Sequence, residues 1–161
     1  MGERGEWVEE LRERVDELID QYRASLHDSL NALSEEEARR QLVPSKTTLL
    51  GLVKHVTFVE GIWFDQAITG RSCREIGIAA TVDGSFTLQE TDTIASVQAG
   101  YRDRWAASQR NLDGRPFDEV VEGRGERPLW ALKLQVLREL AQHAGHADIL
   151  REQIASRSPA P

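Results

Sequence analysis

The chain of 161 residues, 40% hydrophobic and 29% charged, has the size and composition of one globular domain, which we expect to span residues 1–161. Its formal net charge of −7 argues against a nucleic-acid partner, because proteins that bind the phosphate backbone usually carry a basic patch. No stretch approaches the roughly 20 apolar residues needed to cross a bilayer, so a membrane-spanning segment is not expected.

A first amphipathic helix is predicted from about Glu6 to Leu33, because apolar residues recur there at three- and four-residue steps. The apolar stripe consists of Leu11, Val15, Leu18, Tyr22, Leu26 and Leu30. The Ser-Glu-Glu-Glu sequence at residues 34–37 then predicts a capping box that opens a short further turn. Pro44 and Ser45 are expected to break the chain.

A second helix is predicted from Thr47 to Thr69, with Gly70 as its natural stop. Its apolar positions place His55 one turn after Leu52 and one turn before Val59, so the imidazole should point inward. Residues 71–90 are expected to be irregular, with a turn at residues 81–85.

Two further helices are predicted in the second half of the chain. Thr91 or Asp92 should cap the third helix, whose apolar stripe consists of Ile94, Val97, Tyr101, Trp105 and Leu112. Residues 113–127 are expected to be irregular. The fourth helix should start near Pro128, a favoured first-turn residue, and run to about Ser156, before a frayed tail at residues 158–161. Four long helices without an alternating strand pattern predict an all-α protein, most simply a four-helix bundle.

The N-terminal residues mix charges of both signs and lack the apolar core of a signal peptide, so we expect a cytoplasmic location. The single cysteine, Cys73, cannot form an internal disulfide, which fits a reducing compartment. We interpret Cys73 as a free thiol in or near a loop.

Three residues on two predicted helices, His55, Glu139 and His143, form a candidate metal site. Glu139 and His143 are four residues apart, which places both on one face of a helix. All three should lie on or beside the core, where an unpaired polar group is disfavoured and a divalent ion would satisfy the set. Three protein ligands leave coordination positions open, which favours a catalytic metal site over a structural one. The alternative is a buried His–Glu pair that only orients the bundle.

His146 borders the same helix face, three residues after His143. It could be a fourth ligand, a hydrogen-bonding partner of a ligand, or a substrate contact. Four aromatic residues are interpreted as core or pocket wall, because aromatic residues at helical spacing are usually packed: Trp63, Tyr101, Trp105 and Trp130.

Two stretches of the chain resemble the DinB-like superfamily. The segment from Pro44 to His55, PSKTTLLGLVKH, resembles the opening of that superfamily's second helix, and the run from His143 to Glu152, HAGHADILRE, resembles its last helix. The resemblance covers nearly the whole chain. It implies a four-helix bundle of DinB-like type with a three-ligand metal site, commonly for zinc or nickel.

The resemblance also implies which residues are ligands. His55 matches the ligand of the second helix, and His143 matches the last ligand of the fourth. Glu139 stands where many members have histidine. The related mycothiol-dependent maleylpyruvate isomerase, however, uses a glutamate at this position. His146 stands where many members have glutamine.

Members of this superfamily include thiol transferases that act with mycothiol or bacillithiol. The leading hypothesis is therefore a metal-dependent thiol S-transferase or thiol-assisted isomerase that acts on a small electrophile. His146, Arg151 and Trp63 are the candidate contacts to the substrate or to the ligands. The alternatives are a metal-dependent hydrolase, a non-haem iron oxygenase, which uses a similar ligand set, and a non-catalytic, metal-stabilised, dimeric interaction domain.

Overall fold

The computed structural model describes the backbone of residues 2–157 and the side chains of residues 5–157. The described chain is an all-α bundle with almost no sheet, which confirms the predicted fold class. None of its helices combines the length and the apolar character that crossing a membrane requires. The predicted tail at residues 158–161 lies outside the described residues.

The described helices follow one another along the chain in this order: α1 (Gly2–Asp28), α2 (Glu35–Arg39), α3 (Leu49–Gly61), α4 (Ala67–Thr69), α5 (Cys73–Ile76), α6 (Val82–Ser85), α7 (Ile94–Leu112) and α8 (Leu129–Arg157). A π-helical segment, Ile62–Gln66, joins α3 to α4. The four long helices are α1, α3, α7 and α8. Helix α8 packs against both α1 and α3, and α3 packs against α7.

Helix α1 ends earlier than the periodicity indicated. Residues 29–32 form a turn in which Ala32 adopts a positive φ of 61°, although Leu30 is still fully buried. The predicted capping box is confirmed, since Ser34 Oγ accepts a hydrogen bond from the Glu37 N–H and the Glu37 carboxylate accepts one from the Ser34 N–H. Leu11, the first residue of the predicted apolar stripe, is 44% exposed and lies outside the buried core.

The second predicted helix is present, but it is not a uniform α-helix. Thr48 caps it, and Gly70, with a φ of 75°, ends it as expected. The π-helical segment within it was not predicted. Asn111 Nδ2 donates to the Phe64 carbonyl (2.8 Å), and Arg104 Nη1 donates to the buried carboxylate of Asp65 (2.9 Å), so contacts with α7 hold the segment in place.

Two regions predicted to be irregular contain short elements. Residues 71–90 include α5, which opens with a second capping box, and α6, which occupies the predicted turn. Residues 113–127 include strand β1 (Val120–Val121) and the first residue of β2 (Arg127–Pro128), and the two strands pair antiparallel. Strands of two residues are too short to show an alternating pattern. Helix α7 is capped by Thr93 and not by the predicted Thr91 or Asp92.

A buried ion pair, which the sequence analysis did not single out, joins α1 to α3. Arg23 Nε and Nη2 donate to the two carboxylate oxygens of Glu60 at 2.9 and 2.7 Å. The Glu60 side chain is fully buried, and only 4% of Arg23 is exposed. This bidentate geometry is the strongest form that an arginine–carboxylate contact takes.

The four aromatic residues assigned to core or pocket wall divide into two groups. Tyr101 is fully buried and Trp105 packs against the core, which confirms the assignment for both. Trp130 is 44% exposed and is therefore not a core residue, but it does line a cavity, so only the pocket-wall interpretation holds for it. It belongs to an exposed apolar patch on α1 and α8 that consists of Trp7, Leu11, Trp130 and Leu134 and lines a cavity of about 510 Å³.

Candidate metal centre

The structure brings together the three residues that the sequence analysis singled out. His55 lies on α3, Glu139 and His143 lie on α8, and each offers a donor atom within 4.8 Å of the other two. His143 Nε2 is 3.5 Å from Glu139 Oε2. The two imidazole rings are nearly perpendicular, with centroids 4.7 Å apart. That these residues bind an ion stays a prediction.

A hydrogen bond from His55 fixes which of its nitrogens faces the site. His55 Nδ1 is 2.7 Å from Ser85 Oγ, and Ser85 donates its only hydroxyl proton to the Val82 carbonyl. Ser85 must therefore accept from His55, so Nδ1 carries the imidazole proton and Nε2 keeps its lone pair. Histidines that ligate metals usually make such an outer hydrogen bond. The Phe86 ring stacks on His55 with centroids 4.0 Å apart and holds the plane of the imidazole.

Glu139 is oriented in a similar way by neighbours on its own helix. Its Oε1 accepts hydrogen bonds from Gln135 Nε2 (3.0 Å) and from Arg138 Nη2 (2.8 Å). The other oxygen, Oε2, is the one nearer to His143. One carboxylate oxygen is thus held by the protein and the other is directed toward the histidines.

Burial keeps both histidines neutral at neutral pH. It lowers the pKa of His55 to about 4, with a further contribution from His143. It also lowers the pKa of His143, against the opposing effect of Glu139. Neutral imidazole is the form that binds metal ions.

The residues present fit a divalent ion. Two neutral imidazoles and one carboxylate are donors that zinc and related ions take. A bound ion is a natural reason to keep two imidazoles and a carboxylate together at this position.

A cavity of about 570 Å³ opens beside the three donors. Its apolar wall consists of Phe58, Val59, Ile62, Trp63, Val82 and Phe86, and its polar lining includes Cys73, Thr81, Arg124, Gln135 and Gln142. The volume and the mostly apolar wall suit a small organic ligand. The interpretation of Trp63 as pocket wall is confirmed, and Cys73 is a further lining residue of the same cavity.

Two other predicted contact residues lie outside the cavity lining. His146 is exposed, with its ring centroid 5.6 Å from that of His143, and is not a member of the group of three mutually close donors. Arg151 donates to the carbonyl oxygens of Ser29 and Asn31 (2.9 Å to Asn31). Arg151 therefore holds the turn that follows α1, and we do not retain it as a substrate contact.

Replacing Ser85 with alanine is expected to weaken metal binding by about 10–100-fold, because the variant loses the hydrogen bond that fixes the His55 tautomer. Titration against a chromophoric chelator measures the affinity. Ser156→Ala is the matched control, since Ser156 makes the same kind of helical bond to the carbonyl three residues earlier and lies away from the site. An unchanged affinity in Ser85→Ala would show that the hydroxyl does not orient the ligand.

The fold and the site together define a class of protein. An all-α bundle with two histidines and a carboxylate on facing helices, beside an apolar cavity, is a DinB-like protein with a candidate metal centre. The model of the mycothiol-S-transferase family, a DinB-like family, matches residues 14–156, and the chain belongs to that family. No curated protein and no solved structure shows a significant match to the chain. The resemblance inferred from the sequence is confirmed.

Proposed function

We propose that this protein joins a small electrophilic substrate to the sulfur of a low-molecular-weight thiol, with mycothiol as the first candidate. The reaction would depend on a divalent ion, zinc or nickel, held by His55, Glu139 and His143. The observation that carries the proposal is the group of three donors at the wall of an apolar cavity, in a member of the mycothiol-S-transferase family. A cytoplasmic location, where such thiols are kept reduced, belongs to the same proposal.

A bound divalent ion would supply a Lewis acid that lowers the pKa of a thiol toward neutrality. The protein supplies the rest of the site. Ser85 and Gln135 hold the donors in place through hydrogen bonds, while Phe58, Trp63 and Phe86 offer an apolar surface against which the apolar part of the substrate would pack.

The transfer itself balances as a substitution. The thiol gives up its S–H proton to solvent, a new bond forms between sulfur and the electrophilic carbon, and the leaving group departs with the electron pair of the broken bond. In the isomerase version, the thiol adds to the substrate and is released again after the rearrangement. Both versions need the electrophile to lie within the cavity beside the three donors.

Adding zinc or nickel to metal-depleted protein is expected to produce activity toward the fluorogenic electrophile monobromobimane with mycothiol as the thiol. The adduct should form faster than with mycothiol alone, and chelation of the ion should remove the difference. The same assay with bacillithiol and with glutathione in place of mycothiol identifies the preferred thiol. Failure to accelerate adduct formation with any of the three thiols, with either metal, would overturn the proposed function.

The other candidate functions use the same residues. A hydrolase or a non-haem iron oxygenase could be built on this donor set, but the family match favours thiol transfer. The exposed apolar patch on α1 and α8 supports a homodimer, and a homodimer is compatible with catalysis. A purely structural ion usually has four protein ligands, whereas the group found here has three, which favours an open site.

A further inference from the structure

The loop between β1 and β2 lies directly on the end of the π-helical segment. The Gly123 N–H donates to the Ala67 carbonyl (3.0 Å). A Cβ atom at residue 123 would lie 2.3 Å from the Gln66 carbonyl oxygen and 2.7 Å from that of Ala67, so only glycine permits this approach. The backbone of the loop is therefore fixed beside the segment that carries Trp63.

Arg124, the next residue of this loop, lines the cavity beside the three donors. Its Nη1 donates to Gln66 Oε1 (2.8 Å), and its guanidinium carbon lies 5.6 Å from the centroid of the Trp63 ring. Stacking of this kind is a typical arginine contact and restricts the orientation of the guanidinium group. The loop and the indole ring thus position one arginine at the cavity wall.

The charge distribution of the cavity makes Arg124 distinctive. The only other acidic or basic side chain among the described lining residues, apart from the two histidines, is Glu139, whose carboxylate belongs to the donor group. Arg127 lies at the same distance of 5.6 Å from the Trp63 ring but is not a lining residue. Arg124 is therefore the one cationic side chain among the described residues that line this cavity.

We propose that Arg124 binds a carboxylate of the electrophilic substrate, so that the preferred substrates combine an apolar or aromatic body with an anionic group. This inference rests on the proposed function and names its substrate class. A guanidinium group has five N–H donors in a fork that matches a carboxylate, and the bond to Gln66 uses one of them. The apolar wall would take the body of the same molecule.

A matched pair of electrophiles tests the proposal, 4-(bromomethyl)benzoate and 4-(bromomethyl)benzamide, which differ only in the charge of the group to be recognised. In each reaction the thiol sulfur bonds to the benzylic carbon, bromide departs with the bonding electrons, and the thiol proton goes to the buffer. The measured quantity is the ratio of kcat/KM for the benzoate to kcat/KM for the benzamide, with zinc-loaded protein and mycothiol. Arg124→Gln should lower this ratio about tenfold. Arg127→Gln, the matched control, should leave it unchanged.

A binding measurement separates this inference from the proposed function. The unreactive analogues 4-methylbenzoate and 4-methylbenzamide are titrated calorimetrically into the zinc-loaded protein and into its Arg124→Gln variant. The original protein should bind the benzoate about tenfold more tightly than the benzamide, and the variant should lose that preference. If this binding preference is found but no thiol transfer occurs, the anion site is supported and the proposed function is overturned.

Three outcomes would overturn the assignment of Arg124. If the original protein binds both analogues equally, the cavity does not recognise a carboxylate. If the preference persists in Arg124→Gln, another group, such as the bound ion, holds the carboxylate. Thiol transfer with an unchanged benzoate-to-benzamide ratio in Arg124→Gln would likewise overturn it, while the proposed function would stand.

Discussion

Replacing His55 with alanine is expected to abolish stoichiometric metal binding and thiol transfer while the bundle stays folded. His55 is the one member of the donor group on α3, so its loss leaves two donors, both on α8, and an ion could no longer bridge the two helices. The loss of affinity should exceed the 10–100-fold effect of removing an outer hydrogen-bond partner. The fold should survive, because the neutral imidazole borders an existing cavity and forms no ion pair with any residue of the described part of the chain.

Elemental mass spectrometry on protein purified without an affinity tag measures the metal content, and circular dichroism with thermal unfolding checks the fold. His146→Ala is the matched control, since His146 is a neighbouring, exposed histidine outside the donor group and should not be required for metal binding. Stoichiometric metal in His55→Ala would contradict the assignment. So would a metal-free original protein that does not take up added zinc, nickel or iron.

Replacing Glu60 with alanine is expected to lower the free energy of unfolding by about 3–5 kcal/mol, the usual cost of leaving one buried charge without its partner. Arg23 would keep its contact with Asp20, whose side chain is 60% exposed, but that contact cannot replace a bidentate pair within the core. Urea unfolding followed by circular dichroism gives the value. The effect is large because the guanidinium group of Arg23 would stay buried without its carboxylate partner, which costs more than the loss of a contact alone.

Two further variants test whether the stability lost in Glu60→Ala comes from the buried, unpaired charge of Arg23. Asp20→Ala removes the exposed contact of the same arginine and should cost less than about 1 kcal/mol. Replacing both members of the pair, Arg23→Met with Glu60→Leu, should recover much of the stability lost in Glu60→Ala. A single Glu60→Ala variant within 1 kcal/mol of the original protein would show that Arg23 finds another partner or reaches water.

The sequence was sufficient to predict the long helices and the residues that meet at the site. Runs of 19 to 29 residues with an apolar stripe identify α1, α7 and α8. The same periodicity gives the direction in which a side chain points, and for this reason His55, Glu139 and His143 could be chosen before their distances were known. Their meeting depends on the packing of α3 against α8, which the resemblance to DinB-like proteins implied.

The features that escaped prediction depend on contacts between distant segments. The π-helical segment is held by Asn111 and Arg104 from α7, and no local sequence pattern marks it. The position of Arg124 depends on the close approach of Gly123 to the backbone of residues 66–70. In the sequence, the only indication of this contact is that residue 123 is a glycine. Arg151 was assigned to the substrate because it lies near the histidines in sequence, but its long side chain reaches the turn after α1.

The placement of the donors on two separate helices has a consequence for the lifetime of the protein. An ion held between α3 and α8 would bind the native chain and not the unfolded one, because the unfolded chain does not keep His55 near His143. Such binding adds about 2.7 kcal/mol to stability when the free ion is at one hundred times its dissociation constant. The supply of free zinc or nickel in the cell would then govern how much of the protein escapes proteolysis, as well as how much of it is active.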